Sequence, residues 1–196
     1  MRNKSLVEIF NLDKDALVIY EDLMTDNIYN INEIIKNRLS YFKYDKAYLD
    51  FSRFMFNIDI SKIHGQREFK EILDNKLNIF HDTINDLIEL LQANNINVIL
   101  INMLPVYPYQ YFVDQINKDE KFKTILKYLD NIKEIKILQE YFNTVLVKLS
   151  KEYKLKLIDV RNTINEEKYY HLYLEDDGIN LNEKGIKLIN YKLKNI

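Results

Sequence analysis

The chain predicts an α/β fold, a parallel sheet covered on both faces by helices in a three-layer α/β/α arrangement. Three observations lead there. Short, β-branched apolar runs alternate with longer stretches at helical spacing. The runs at 16–20 and 96–103 are apolar at successive positions, as strands buried on both faces are. The 196 residues, 47% of them hydrophobic, are enough for one domain with a full-sized core, so 1–196 is expected to be a single domain.

Taken in order, 6–12 is a short mixed segment. Ala16-Leu17-Val18-Ile19-Tyr20 reads as the first strand, bracketed by Asp13-Lys14-Asp15 and Glu21-Asp22. Asp26 is placed to cap a helix over 28–39, where Ile28, Ile31, Ile34, Ile35 and Leu39 fall at helical spacing. Lys46-Ala47-Tyr48-Leu49-Asp50-Phe51 is the second strand, and 54–63 is irregular and apolar. The stretch 67–93 reads as a long amphipathic helix with a break near Asn78. The clearest strand is 96–103; Pro105 and Pro108 mark the loop that leaves it. Helices follow at 118–128 and 132–153, then a fourth strand over 155–160 and an irregular loop to Ile179. Asn182 caps a closing helix over 182–195. Right-handed crossovers make the strands parallel, and ligands then bind beyond their carboxyl ends. The loops after Tyr20, Phe51, Met103 and Val160 share that edge.

Composition narrows the chemistry. With 28 basic and 30 acidic residues the net charge is −2, which gives no reason to expect nucleic acid or an acidic membrane as partner. There is no cysteine, so disulfides and thiolate metal sites are excluded. No two of the three histidines stand at metal-ligand spacing. The three glycines do not cluster, which argues against a phosphate-cradling loop. Neither a metal nor a cofactor is expected. No apolar run approaches the roughly 18 residues of a membrane-spanning helix. Polar and acidic residues follow the first five within a few positions, so no signal peptide is visible and a cytoplasmic location is expected.

The most specific stretch is Tyr173-Leu174-Glu175-Asp176-Asp177-Gly178-Ile179-Asn180-Leu181-Asn182-Glu183-Lys184-Gly185. It follows the fourth strand, holds two of the three glycines and opens the closing helix. It resembles the last motif of the SGNH (GDSL-type) ester hydrolases, an Asp-x-x-His loop followed by Leu-Asn and a helix. The order of elements from 28 to 189 is also similar to that family's flavodoxin-like domain. Asp45 to Phe51 matches its third strand, Asn97 to Val106 its fourth strand with the closing proline, and the elements from Asn131 to Val160 its fifth unit. The resemblance implies a small ester substrate, an O-acyl or O-acetyl group on an alcohol or carbohydrate.

That chemistry needs a serine that attacks the acyl carbon, a histidine that takes its proton, an aspartate that orients the histidine, and an oxyanion hole. By resemblance Asp177 is the orienting aspartate. The histidine position holds Asn180, whose amide cannot accept a proton near neutral pH. The oxyanion glycine and asparagine fall at Ser52-Arg53-Phe54 and are absent; Asn57 would reach the site only through a shifted loop. Two registers place the serine. If 17–20 is the family's first strand, Gly-Asp-Ser becomes Glu21-Asp22-Leu23. If Asn3-Lys4-Ser5-Leu6-Val7-Glu8 is the serine block, Ser5 is the nucleophile position, 17–20 is the second strand and a glycine block falls at 21–25. The second register keeps the family's spacing and is preferred. It leaves the internal first strand either encoded upstream or lost, with the sheet re-closed. Among the histidines, His171 is the only substitute base, and its tyrosine neighbours make it a packing group; His64 lies in a turn and His81 on a helix. Tyr107, Tyr109, Tyr111 and Phe112 either line an acyl or sugar pocket or pack as a lid. The sequence thus describes an SGNH-like protein with impaired catalysis or a non-catalytic binding or assembly module.

Overall fold

The computed structural model describes residues 4–20, 30–52, 54, 65–118 and 134–193. The fold is α/β, a four-stranded parallel sheet flanked by helices. In chain order the elements are α1 (Leu6–Phe10), β1 (Leu17–Ile19), α2 (Ile31–Tyr41), β2 (Lys46–Asp50), α3 (Gln66–Ala93), β3 (Asn97–Ile101), α4 (Pro108–Lys118), α5 (Glu134–Glu152), β4 (Lys156–Ile158), α6 (Val160–Asn165), a 3-10 turn (Tyr170–Tyr173) and α7 (Glu183–Leu193). Each strand falls inside an apolar run identified from the sequence. The strands lie in the order β1-β2-β3-β4, all pairs parallel. No strand intervenes between β1 and β2: Leu17 pairs with Ala47 and Ile19 with Leu49.

The chain divides into two compact units, each described by itself. The first comprises Met1–Phe54, Ile79–Met103 and Asn143–Asp159; the second comprises Met55–Asn78, Leu104–Phe142 and Val160–Ile196.

The first unit holds the sheet. β2 and β3 bury four consecutive residues each, so neither face is left to solvent. Ile84, Leu87, Ile88 and Leu91 of α3, Leu146 and Leu149 of α5, and Ile31 and Ile35 of α2 supply the fully buried helical faces. Phe51, Phe54 and Phe80 form an aromatic cluster, with ring centroids 4.9 to 6.2 Å apart. Three helices end the same way. After α1, α3 and α5, a left-handed residue (Asn11, Asn95, Lys154) lets the next N–H reach back five residues: Leu12 to Val7, Ile96 to Leu91 and Leu155 to Ser150, at 2.7 to 3.1 Å. This is the Schellman closure, and after α3 and α5 it aims the chain straight into β3 and β4.

The second unit is built around the loop 174–181. Leu174 and Leu181 form an isolated antiparallel bridge, and Glu175 N–H donates to Asn180 O at 2.7 Å. Asn182 then clasps both sides. Its amide donates to the carbonyls of Leu172 and Leu174, and its Oδ1 accepts from the N–H groups of Lys184 and Gly185. That is the predicted cap of α7. Gly185 lies so close to the preceding turn that a Cβ there would stand 2.3 Å from Tyr173 O. Gly178 has φ +72°, and a Cβ would stand 2.7 Å from both Tyr107 O and Tyr111 N. The loop glycine thus lies directly against the backbone at the start of α4.

Several expectations need correction. α3 runs unbroken through Asn78. The residues after Pro105 form a helix, α4, because Pro108 occupies its first turn, where the missing N–H is not needed. The short segment 6–10 is helical, and β4 ends at Ile158, with α6 starting at Val160. Asp26, 21–25, Arg53, Asn57, His64 and all but Lys118 of the helix expected over 118–128 lie outside the described residues; Lys118 ends α4. Among the described residues, no helix is long and apolar enough to cross a membrane.

The three glycines give a graded test in urea denaturation. Gly185→Ala and Gly178→Ala should each cost about 2 kcal/mol or more, because backbone oxygen and nitrogen sit where the new methyl must go. Gly65→Ala, with no atom of the described residues within 4 Å, should cost less than about 1 kcal/mol. Equal losses at all three would contradict the close approach described for the loop.

Candidate active site

In the first unit the parallel sheet brings Asp50, Ser52, Asn102 and Asp159 to its carboxyl edge. Asp50 is wholly buried. Its Oδ2 accepts the N–H of Leu6 at 2.6 Å, and its Oδ1 accepts the N–H of Ser52 at 3.0 Å. Burial pushes its carboxyl above the ordinary range, while the N–H groups of Ser52, Leu6 and Val7 oppose that shift. Asn102 donates from its side chain to Asp159 Oδ1 at 2.8 Å.

The Leu6 contact ties the start of α1 to the end of β2, so Ser5 sits by the carboxyl edge where the resemblance expects a nucleophile. Its surroundings are those of a helix cap. The side chain is buried, with Oγ accepting from Glu8 N–H at 3.1 Å and donating to Glu8 Oε2 at 3.1 Å. Its backbone N–H also donates to Glu8 Oε2, at 2.9 Å. This is a complete capping box. Both groups that an acyl transfer would need from this serine, the hydroxyl and the N–H, are engaged with Glu8.

In the second unit the loop brings Asp177 and Asn180 together. Asp177 is buried, and its Oδ1 accepts from the N–H groups of Ile179 (3.1 Å) and Asn180 (2.9 Å). Its Oδ2 accepts from the Asn180 amide. The carboxylate therefore shapes the loop and fixes the side chain three residues on.

The loop leans on the start of α4 through Tyr107 N–H to Gly178 O at 2.8 Å. The Tyr107 ring stacks on His171 at 5.0 Å and meets Tyr170 edge-on at 5.9 Å. His171 is thus a packing partner of a tyrosine. The aromatic run divides: Tyr111 and Phe112 are buried, whereas Tyr109 is exposed. Among the described residues no group of His, Asp and Glu could hold a metal ion.

No protein-family model matches the chain, and no curated protein matches it in sequence. Solved structures match it in shape. A GDSL-like lipase from Bacteroides thetaiotaomicron aligns with a TM-score of 0.52 at 14% identity, over 86% of this chain and 69% of that one. A member of the lipolytic protein G-D-S-L family from Veillonella parvula aligns at 0.51 and 15% identity, over 98% of this chain and 86% of that one. This chain has the SGNH-hydrolase fold. An alpha/beta hydrolase enzyme from the metagenome of Lake Arreo is similar at 0.52 and 13% identity, over 85% of this chain and 65% of that one.

Two features of this SGNH-fold chain were missed in the sequence. Ser5-x-x-Glu8 is a capping-box spacing that could have been read directly. Arg161 gave no such signal. Its guanidinium is only 1% exposed and donates to Leu104 O at 3.3 Å and Gln139 Oε1 at 2.9 Å, and it pairs with Glu140. Gln139 Oε1 also accepts the N–H of Val106 at 3.1 Å, so this cluster holds 104–106 in place. Beside it, desolvation and the charge of Arg161 push the Lys136 ammonium below its ordinary range.

Two variants probe the Ser5–Asp50 corner. Ser5→Ala should lower stability by about 1 kcal/mol through loss of the cap. Asp50 has a raised native pKa, so between its ordinary value of 3.8 and that raised value the folded state holds more proton than the unfolded chain. Its contribution to stability therefore falls as pH rises through that window. The stability difference between wild type and Asp50→Asn, measured by denaturant titration, should shift towards the variant on going from about pH 4 to pH 7; an opposite slope would refute the assignment.

Proposed function

We propose that this chain is a divergent SGNH-fold protein that has lost serine–histidine hydrolysis and uses the Asp177–Asn180 loop for binding. The observation that carries the proposal is the Asn180 amide held on Asp177 where the resemblance calls for the catalytic base. A carboxamide donates to Asp177 as an imidazole does, but it has no lone pair basic enough to take a proton from a serine. The capping box at Ser5 supports the same reading, because Glu8 holds both the hydroxyl and the N–H. The ligand class expected from the fold is a small O-acyl or O-acetyl compound, an acylated carbohydrate among them. An active esterase with Ser5 as nucleophile is the alternative.

An ester assay separates the two. With p-nitrophenyl acetate, wild type and Ser5→Ala should release nitrophenol at the same rate, set by surface amines and buffer. Loss of the base alone costs an SGNH-type site several orders of magnitude, roughly 10³-fold or more. Turnover by wild type that Ser5→Ala abolishes would establish the esterase instead.

A further inference from the structure

We propose that the carbonyl oxygen of the Asn180 side chain is the acceptor for a hydroxyl group of a bound polyol or sugar. The proposal rests on the reading above, in which this loop binds and does not transfer protons. Asn180 is 9% exposed. Its amide orientation is fixed, because the Asp177 carboxylate can only accept and so must face the NH₂. The Oδ1 atom is thereby turned away from Asp177, is buried, and has no hydrogen-bond partner among the described residues. A buried carbonyl without a donor is costly, so a group that supplies one is bound favourably there.

A second atom has the same need. Gln110 Oε1 is also buried and without a partner, and the Gln110 Cβ lies 3.1 Å from the Cβ position of Gly178, two residues before Asn180. Both atoms are acceptors only, so each calls for a donor, which a hydroxyl supplies. An anionic group would meet a carbonyl oxygen at either atom, and an ammonium would find the Asp177 carboxylate beside Asn180 already engaged with three N–H donors. Tyr107, bonded to Gly178, carries the ring stacked on His171, with Tyr170 at its edge. A fixed amide acceptor on a loop bonded to this aromatic group suits a molecule with hydroxyls on its rim and C–H groups on its faces.

The test uses the full chain labelled with ¹⁵N-asparagine. The Asn180 carboxamide signals are identified by their loss in Asn180→Leu. Methyl β-D-glucopyranoside, N-acetylglucosamine and glycerol are the probes; tetrahydropyran, the sugar ring without hydroxyls, is the control. The expected result is a saturable shift of the Asn180 signals with at least one probe and none with tetrahydropyran. Asn180→Leu and Gln110→Leu should each weaken that binding about tenfold. Signals unmoved by all three probes up to roughly 100 mM, or moved equally by tetrahydropyran, overturn the proposal, and a nuclear Overhauser contact to a trapped water would then identify the donor. If Asn180→Leu does not fold, Asn180→Ser identifies the signals in its place, and the wild-type titration then decides. None of the probes carries an ester, so the result is independent of turnover, and ester hydrolysis would count against the preceding proposal alone.

Discussion

The β2–β3 ladder is apolar on both faces, and this governs the first unit. Five residues pair along it, from Lys46 with Asn97 to Asp50 with Ile101. With Ala47 to Leu49 and Val98 to Leu100 buried, helices must cover the sheet, and polar groups can enter the strands only at their ends. They do so at Asp50, Asn102 and Asp159. A carboxylate emerging from such a sheet is desolvated and must find donors. Asp50 finds them in the N–H groups of Ser52, Leu6 and Val7, and in doing so anchors α1.

Asp177 plays the same part in the second unit. It is also buried, and it too takes backbone N–H groups. In both places a carboxylate organises a loop, and that requires no general base. Much of what resembles catalytic architecture is therefore architecture in its own right. Asp177 shapes the turn, Asn182 clasps it, and Gly185 permits the close approach of α7 to Tyr173.

This explains which parts were legible in the sequence. The strands could be read because burial on both faces writes itself as an uninterrupted apolar run. The cap at Asn182 could be read because helix ends use few residue types. α4 was obscured by its prolines, since Pro108 serves equally well in a loop or a first helical turn. α1 and α6, of five and six residues, are too short to show a helical period. The Asp177–Asn180 pair was legible because its partners are three residues apart. The Ser5–Glu8 box is equally local, but it opens a helix too short to show a period that would mark Ser5 as a cap. Asp50 with Leu6, and Arg161 with Leu104 and Gln139, join positions far apart in the chain, and no local pattern marks them.

On the proposed reading, in which Asn180 stands at a histidine position, little else about the loop needs to change. An amide keeps the hydrogen bond to Asp177 and so keeps the turn. What it alters is the far side of the ring position: a basic nitrogen becomes a neutral carbonyl oxygen. A basic nitrogen there can accept a proton and release it, whereas a carbonyl oxygen can accept only a hydrogen bond. The loop's geometry is thus compatible with either chemistry, and the choice lies in one side-chain group. Because Asp177 fixes that group's orientation, the oxygen is preorganised, as a recognition atom should be. On that reading, the missing base and the fixed acceptor are one side chain seen from its two sides.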